Sequence, residues 1–409
     1  MSSSPWPAGR PPTKIVLVHN AYREPGGEDV VFAQERQMLE RAGHRVAVYW
    51  RSNDEINKLS TLGRLALVKN SISSYGTQGE FARLLDRENP DLVHIHNTFF
   101  MISPTVYSVC RERGIPVVQT LHNFRLLCPA ATFYRDGKVC EECAEHSLWR
   151  GIYHGCYRDS RRTTAAVALM LAWHRREGTW NDLVDCYIAL SGFSRDKFVA
   201  AGIPANKVVV KPNFLDPDPG PRERGGKYVV FTGRLSREKG LHTLLDAWLR
   251  LPVHTSLQII GDGPERENLQ AYVRQRRGLS GITFRGRLSH DETIAAVKNA
   301  YVLVFPSECY ENFPMSIAEA FACGVPVICS RLGAMEESVD DHRTGLLFAP
   351  GDADDLAAKV EWAWTHPREM DEMGREARAE YKAKYTAQRN YEMLMEIYVK
   401  AIAARAKGC

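Results

Sequence analysis

The strongest constraint on this chain is an alternation that runs through it twice. Short apolar, β-branched runs are separated by segments with helical spacing along almost the whole sequence. In the first half the runs are 14–20 (KIVLVHN), 45–50 (RVAVYW), 91–97 (DLVHIHN), 116–121 (PVVQTL) and 185–190 (DCYIAL). Runs this short and apolar suit strands buried on both faces. Between them, a stretch such as 30–43 puts apolar residues at three- and four-residue steps and stops at a glycine. The second half repeats the scheme with runs at 228–232, 256–260, 282–284, 300–305, 326–329 and 345–348, and with helices expected at 241–251 and 314–323. Alternation of this kind implies an α/β fold of two Rossmann-like, doubly wound parallel-sheet domains, with ligands held at strand carboxyl ends in a cleft between them.

Length and composition fit two such cores. The chain has 409 residues, 44% hydrophobic and 25% charged, which is ordinary for globular domains. A net charge of +4 allows a locally basic anion site and gives no case for nucleic acid. No apolar run approaches the roughly 20 residues that span a bilayer, so a cytoplasmic protein is expected. Residues 1–13 read as a disordered leader, and 14–210 as the first domain with a Cys-rich insert at 124–160. Proline-rich 211–224 (KPNFLDPDPGPRER) reads as a linker, 225–385 as the second domain, and 386–409 as a C-terminal helix with an apolar face to bury.

The most informative segment is 305–330, FPSECYENFPMSIAEAFACGVPVICS. A buried strand ends at Phe305, a polar loop follows, a helix is expected from Pro314, and Gly324 stops it. The backbone N–H groups of Asn312, Phe313, Met315 and Ser316 then face outward from a helix N-terminus, a geometry that binds diphosphate. Glu311 lies just before that helix and Glu319 within it, eight residues on. One carboxylate can hold sugar hydroxyls and the other a ribose diol. The bland alternative, two solvated helix-end glutamates, is disfavoured by the strand–loop–helix context.

A second cluster, 233–240 (GRLSREKG), follows the first strand of the second half. Arg234 and Lys239 lie between Gly233 and Gly240, where two cations can neutralise a diphosphate leaving group without a metal. Alone it would read as a basic surface turn. Weaker signals agree: Gly261 and Gly263 in a tight turn after the next strand, and Gly26 and Gly27 after strand one, where backbone can approach a phosphate or sugar. His122 directly follows the 116–121 strand and so projects from a carboxyl end.

The run ENFPMSIAEAFACGVPVI resembles the E-x7-E signature of glycosyltransferase family 4, a family of the GT-B fold. GRLSREKG, IIGDGP, the early Gly-Gly loop and the strand ending in His122 fall in that family's order, and the resemblance covers roughly 14–400. It implies a hexosyltransferase-type enzyme, retaining and metal-independent, that uses a nucleotide diphosphate sugar as co-substrate and no catalytic cofactor. By motif position, Glu319 would grip the ribose, Glu311 the donor sugar, and Arg234 and Lys239 the diphosphate. Asn312, Phe313 and Met315 would contribute backbone, His122 would reach the sugar, and Gly27 the phosphate or acceptor side. The last helix would pack back on the first domain. A bacterial cell-envelope or exopolysaccharide role follows from the resemblance alone, with a saccharide, lipid-linked or small-molecule acceptor.

Two features lie outside that pattern. Cys128, Cys140, Cys143 and Cys156 cluster within one segment, and the C-x-x-C among them admits structural zinc as readily as unligated thiols. Segment 161–180 (RRTTAAVALMLAWHRREGTW) has a short apolar centre between arginine pairs. It reads first as a core helix and second as an interfacial helix placing the protein peripherally on the inner face of the membrane. The rival functions are a nucleotide-sugar epimerase of the same architecture and a catalytically silent nucleotide-sugar-binding partner.

Overall fold

Each of the eleven apolar runs becomes a strand. The structure, a computed structural model, describes residues 11–22, 26–58, 70–223, 225–252 and 255–407. Most of the expected leader, 1–10, lies outside the described residues, as do 224 in the linker and Cys409. By contacts the chain divides into two units: 1–131, 141–212 and 388–409 form the first, and 132–140 with 213–387 form the second.

The first unit contains β1 (Lys14–Ala21), β2 (Arg45–Ser52), β3 (Leu92–Asn97) and β4 (Val117–Leu121). A two-stranded hairpin, β5 (Tyr134–Arg135) and β6 (Lys138–Val139), clusters with the second unit instead, although its sequence lies inside the insert. There Phe133 is 1% exposed and its ring meets that of Tyr310 at 6.1 Å. The first sheet is completed by β7 (Cys186–Ala189) and β8 (Val208–Val210), in the order β2-β1-β3-β4-β7-β8, with every pairing parallel. β8 was not expected: three valines against the proline-rich stretch are too short a run to stand out.

Helices form where spacing and caps coincide. In α1 (Gly27–Arg41), Asp29 accepts from the Gly26 N–H at 2.7 Å, and Val31, Phe32, Glu35, Met38 and Leu39 are buried on one stripe. Glu35 is the one charge in that stripe. In α2 (Arg161–Arg176), Ser160 caps the Thr163 N–H, and Val167, Ala168, Met170 and Leu171 face the core.

The second unit carries β9 (Val229–Thr232), β10 (Leu257–Ile260), β11 (Ile282–Gly286), β12 (Val302–Phe305), β13 (Val327–Ser330) and β14 (Gly345–Phe348). Their order is β11-β10-β9-β12-β13-β14, the doubly wound arrangement whose direction reverses between β9 and β12. Alternate residues of β9 serve opposite faces: Val229 and Phe231 enter one apolar cluster, Val230 the other. Each such side chain stabilises the fold by about 1.5–3 kcal/mol on full burial. α3 (Leu241–Trp248) follows the 233–240 loop, and α4 (Met315–Ala322) follows β12. The helix expected from Pro314 starts one residue later. Pro314 has ψ 96°, which is extended, and acts as the N-cap. The final helix, α5 (Ala387–Lys407), lies almost wholly in the first unit, where Arg405 bonds Asp185 at 2.7 Å.

Two glycines let the loops at the β9 end close. Gly240 has φ +69°, and a Cβ there would lie 1.9 Å from the Pro306 carbonyl oxygen. Gly261 has φ +139°, and a Cβ there would lie 1.8 Å from the Gly233 carbonyl oxygen. Backbone oxygen cannot move aside as a flexible side chain can, so Gly261→Ala should destabilise the protein by about 3 kcal/mol. Urea unfolding of the variant measures this; a change below about 1 kcal/mol would show that the loop relaxes at little cost.

Candidate active site

The reversal of strand order between β9 and β12 leaves the loops after those two strands diverging from adjacent carboxyl ends, and both expected motifs sit there. Lys239, from the β9 loop, donates to Glu311, from the β12 loop, at 2.6 Å. Ser307 Oγ donates to the same Glu311 oxygen at 2.7 Å, and Cys309 Sγ lies 3.9 Å from it. Burial by itself would lower the Lys239 pKa, but Glu311 outweighs it and holds the ammonium charged well above its usual range. Burial pushes the Cys309 thiol up to about 12, so it stays protonated beside the carboxylate. Arg234 is exposed on the same loop.

Around this pair the backbone is drawn tight. Leu235 N–H bonds Asp262 O at 2.9 Å, Gly233 N–H bonds Ile260 O at 3.0 Å, and a Cβ on Gly263 would lie 2.4 Å from Leu235 O. Ser316 Oγ donates to Thr232 O at 3.1 Å, fixing the first turn of α4 against the end of β9. The first-turn N–H groups of a helix lack intrahelical partners, which leaves those of Met315 and Ser316 at the start of α4 able to meet an anion, with Asn312 and Phe313 just ahead of the Pro314 N-cap. Asn312 is buried, and Phe313 packs on the core with its ring 5.4 Å from that of Tyr385. Glu319 lies inside α4. It lies 3.8 Å from His290, and burial raises its pKa against the pull of that imidazole.

In the first unit the strand order reverses between β1 and β3, and a polar group spans that point too. Asn97, ending β3, donates to Glu28, in the first turn of α1, at 2.8 Å, and Asn123 Nδ2 lies 3.3 Å from the other Glu28 oxygen. Burial pushes the Glu28 carboxyl up to about 8, against hydrogen bonds from Tyr22 and Asn123 that pull it down. Gly26 and Gly27 stand beside it; a Cβ on Gly27 would meet nothing within 4 Å, so backbone there is open to approach. His122 is partly exposed, with Nε2 2.9 Å from Nδ1 of His96. A cavity of about 50 Å³ lies alongside, lined by His96, Asn97, Phe99, His122 and Arg125. The Arg125 guanidinium covers the Phe99 and Tyr157 rings at 4.4 and 4.9 Å.

Sequence reasoning missed the groups behind His122. His94 and His96, alternate residues of β3, face Glu35 of α1 at 3.0 and 3.2 Å. Lys211 sits 3.2 Å from the other Glu35 oxygen and 3.0 Å from Asn390 of α5, and all five residues are buried. The signal was available: two histidines at strand period inside an apolar run, and a glutamate on the buried stripe of a helix.

The cysteine expectation needs correction. Cys128, Cys140, Cys143 and Cys156 are not joined in disulfides. Among the described residues only Glu35, His94 and His96 bring three metal-capable atoms within 4.8 Å of one another, so the four thiols do not form the zinc site that their spacing admits. Cys143 is buried and closely packed: a Cβ on Gly151 would lie 3.1 Å from its sulfur and 3.3 Å from Pro129. Cys140 clusters with the other unit. At the Glu35 trio, the Lys211 ammonium already supplies the positive charge that a carboxylate in this position requires.

Comparison with known proteins gives the same picture. The model of glycosyl transferases group 1 matches residues 216–380, and that of glycosyltransferase family 4 matches residues 25–219. Glycogen synthase of Mycobacterium tuberculosis (strain CDC 1551 / Oshkosh) is 27% identical over 325 residues, 76% of this chain and 69% of that protein. D-rhamnosyltransferase WbpZ of Pseudomonas aeruginosa is 33% identical over 165 residues, 40% of this chain and 42% of that one. Anabaena HepE, solved in complex with UDP, aligns with TM-score 0.65 at 20% identity, over 94% of this chain and 98% of its own. The fold is GT-B.

The raised Glu28 pKa has a consequence for stability. Between the ordinary carboxyl value of 4.5 and about 8 the folded state holds a proton that the unfolded state has released. Its contribution is full below 4.5 and is lost as pH rises through about 8. Glu28→Gln should therefore flatten the fall in stability across that window in chemical unfolding at several pH values. An unchanged slope would place the Glu28 pKa near its ordinary value.

Proposed function

We propose that this chain, which belongs to glycosyltransferase family 4, transfers a sugar from a nucleotide diphosphate donor to a hydroxyl-bearing acceptor, with retention at the anomeric carbon and without a catalytic metal. The observation that carries this reading is the Lys239–Glu311 pair at the β9/β12 reversal, beside the N-terminus of α4. A cation, a carboxylate and an anion-binding helix end are what a sugar diphosphate needs, and UDP bound to the HepE neighbour suits the same class of donor.

In this reading the N–H groups of Asn312, Phe313, Met315 and Ser316 and the charges of Arg234 and Lys239 hold the diphosphate, with Gly233, Gly261 and Gly263 keeping the loops close. Glu319 takes the ribose hydroxyls and Glu311 those of the donor sugar. Lys239 then turns from Glu311 toward the developing negative charge as the bond from the anomeric carbon to the phosphate oxygen breaks. The acceptor oxygen bonds to the same face of that carbon and its proton passes to the departing phosphate oxygen. The two cations supply the charge stabilisation that a metal would otherwise give. His122, Gly26 and Gly27 of the first unit serve as hydroxyl- or phosphate-binding groups.

A lipid-linked acceptor in bacterial cell-envelope or exopolysaccharide synthesis fits one further observation. Trp149, Tyr153, Leu169 and Trp173 are 67%, 61%, 54% and 49% exposed. Arg150, Arg158, Arg161, Arg162 and Arg176 are exposed among them, with Arg161 5.6 Å from the Tyr153 ring. Exposed aromatic and aliphatic side chains in an arginine-rich stretch suit the interface of an anionic bilayer. No described helix is long and apolar enough to cross a membrane, so contact would be peripheral.

Two measurements test the proposal. Lys239→Ala should lower turnover of the nucleotide sugar by about 10²–10³ while thermal melting still shows a folded protein; near-normal turnover would remove Lys239 from the chemistry. The protein should float with vesicles containing phosphatidylglycerol and should lose that affinity in Trp149→Ala/Trp173→Ala. Equal flotation of both proteins would discard the membrane face.

A further inference from the structure

The buried histidines of the first unit form a directed chain, and its direction can be worked out from one end. Glu35 is ionised. Burial alone would raise its pKa, but Lys211 at 3.2 Å and the two histidines outweigh that and hold it well below the usual range. Its Oε1 and the Nε2 of His96 are both sealed from solvent and lie 3.2 Å apart, off the line of a well-formed hydrogen bond but each other's neighbour. A nitrogen lone pair facing a carboxylate oxygen there would be repelled, so His96 Nε2 carries a proton. Burial, with His94 beside it, brings the His96 pKa down to about 3, so its imidazole is neutral and its Nδ1 bears the lone pair.

That nitrogen is the one that meets His122. With Nδ1 of His96 as acceptor, the 2.9 Å contact forms only if His122 Nε2 donates. Burial also holds the His122 pKa well below its usual value, so His122 is neutral too, and its Nδ1 is left with a lone pair. The neighbouring groups do not compete for this proton. His19 directs Nε2 to Asp29 at 2.8 Å and meets His96 only edge-on at 6.3 Å between ring centres. His94 uses Nε2 on Thr120 and places Nδ1 beside Tyr398 and Glu35.

We propose that Glu35, acting through His96, is a positioning residue that holds His122 in the tautomer protonated at Nε2, so that its Nδ1 accepts a hydrogen bond from a substrate hydroxyl. The inference rests on the reading of His122 as a site residue and deepens it, because it states which chemistry His122 can recognise. A neutral acceptor nitrogen binds a sugar or acceptor O–H and offers nothing to a phosphate oxygen. Lys211 and Asn390 then act at one further remove, by fixing Glu35.

The test reads the proton directly. In ligand-free protein labelled with ¹⁵N-histidine, two-bond ¹H–¹⁵N correlations distinguish protonated from bare ring nitrogens, and His96→Gln and His122→Gln assign the signals by their loss. The expected result is one tautomer at both residues, protonated at Nε2. A His122 protonated at Nδ1 overturns the proposal. The double variant Glu35→Gln/Lys211→Met removes the buried charge pair together. The carboxamide that replaces the carboxylate can donate or accept, so both histidines should shift to averaged tautomer signatures. Unchanged signatures in that folded variant would also overturn it. The outcome is separable from the functional reading: the expected tautomer combined with full turnover in His122→Gln would leave the chain of protons standing and remove His122 from the site.

Discussion

A parallel sheet covered by helices on both faces leaves few places for polar chemistry except the ends of its strands. Both sheets here are of that kind. β9 sends alternate residues into two separate apolar clusters, and β3, β4 and β7 are buried along their lengths. Charges on the flat of such a sheet would be desolvated on whichever face they lay. Where adjacent strands send their connections to opposite sides, the carboxyl ends open a gap that loops can line, and each sheet has one such gap. In the second unit it is bridged by Lys239 and Glu311, in the first by Glu28 and Asn97. Topology alone brings residues 72 apart in one case and 69 in the other to within hydrogen-bond distance.

The first unit also breaks the rule. Glu35, His94, His96 and Lys211 lie against the face of its sheet with at most a few per cent of their surface exposed. A buried ion pair seldom stabilises a fold more than apolar residues of the same volume would. Its use here is specificity of arrangement. Glu35 comes from α1, the histidines from β3, Lys211 from the residue after β8 and Asn390 from α5. Removing Glu35 or Lys211 alone leaves a desolvated charge, so α1 and the residue after β8 must come together in a single way. Tyr398, bonded to His94 at 2.8 Å, fixes α5 at a second point.

The fold was legible in the sequence because burial on both faces writes itself as uninterrupted apolar runs. β8 escaped because three residues between Lys207 and the proline-rich stretch carry too little pattern. The placement of the loops after β9 and β12 was legible for a related reason: Gly233, Lys239, Glu311 and Pro314 lie in short segments between a strand and a helix, so position along the chain fixes position in space. The Cys128–Cys156 group misled because the same inference was applied where no strand and helix frame the segment. Its thiols are separated by turns and short helices, and its hairpin clusters with the other unit. Glu35 and Lys211 were hidden differently. They are 176 residues apart, and nothing local says that a glutamate on a helix stripe has found a lysine.

That difference bears on what each unit can bind. The β9/β12 end of the second unit is built from charge: an ammonium, a carboxylate and the partial positive end of α4 suit a ligand that is itself a dianion. Such sites must be made of particular residue types, which is why they are recognisable as motifs. Apart from the Arg125 guanidinium, the titratable groups that line the space around His122 are held largely neutral. Glu28 titrates near 8, His96 near 3 and His122 well below its ordinary range, so between them they offer protonated carboxyl, amide and bare imidazole nitrogen. Neutral donors and acceptors at fixed positions select hydroxyl groups by geometry, and many residue combinations can supply them. Under the proposed function, a few charges would hold the donor while the orientation of uncharged groups would select the acceptor. Glu35 and Lys211 then matter out of proportion to their distance from any ligand, because a buried charge is what orients those uncharged groups.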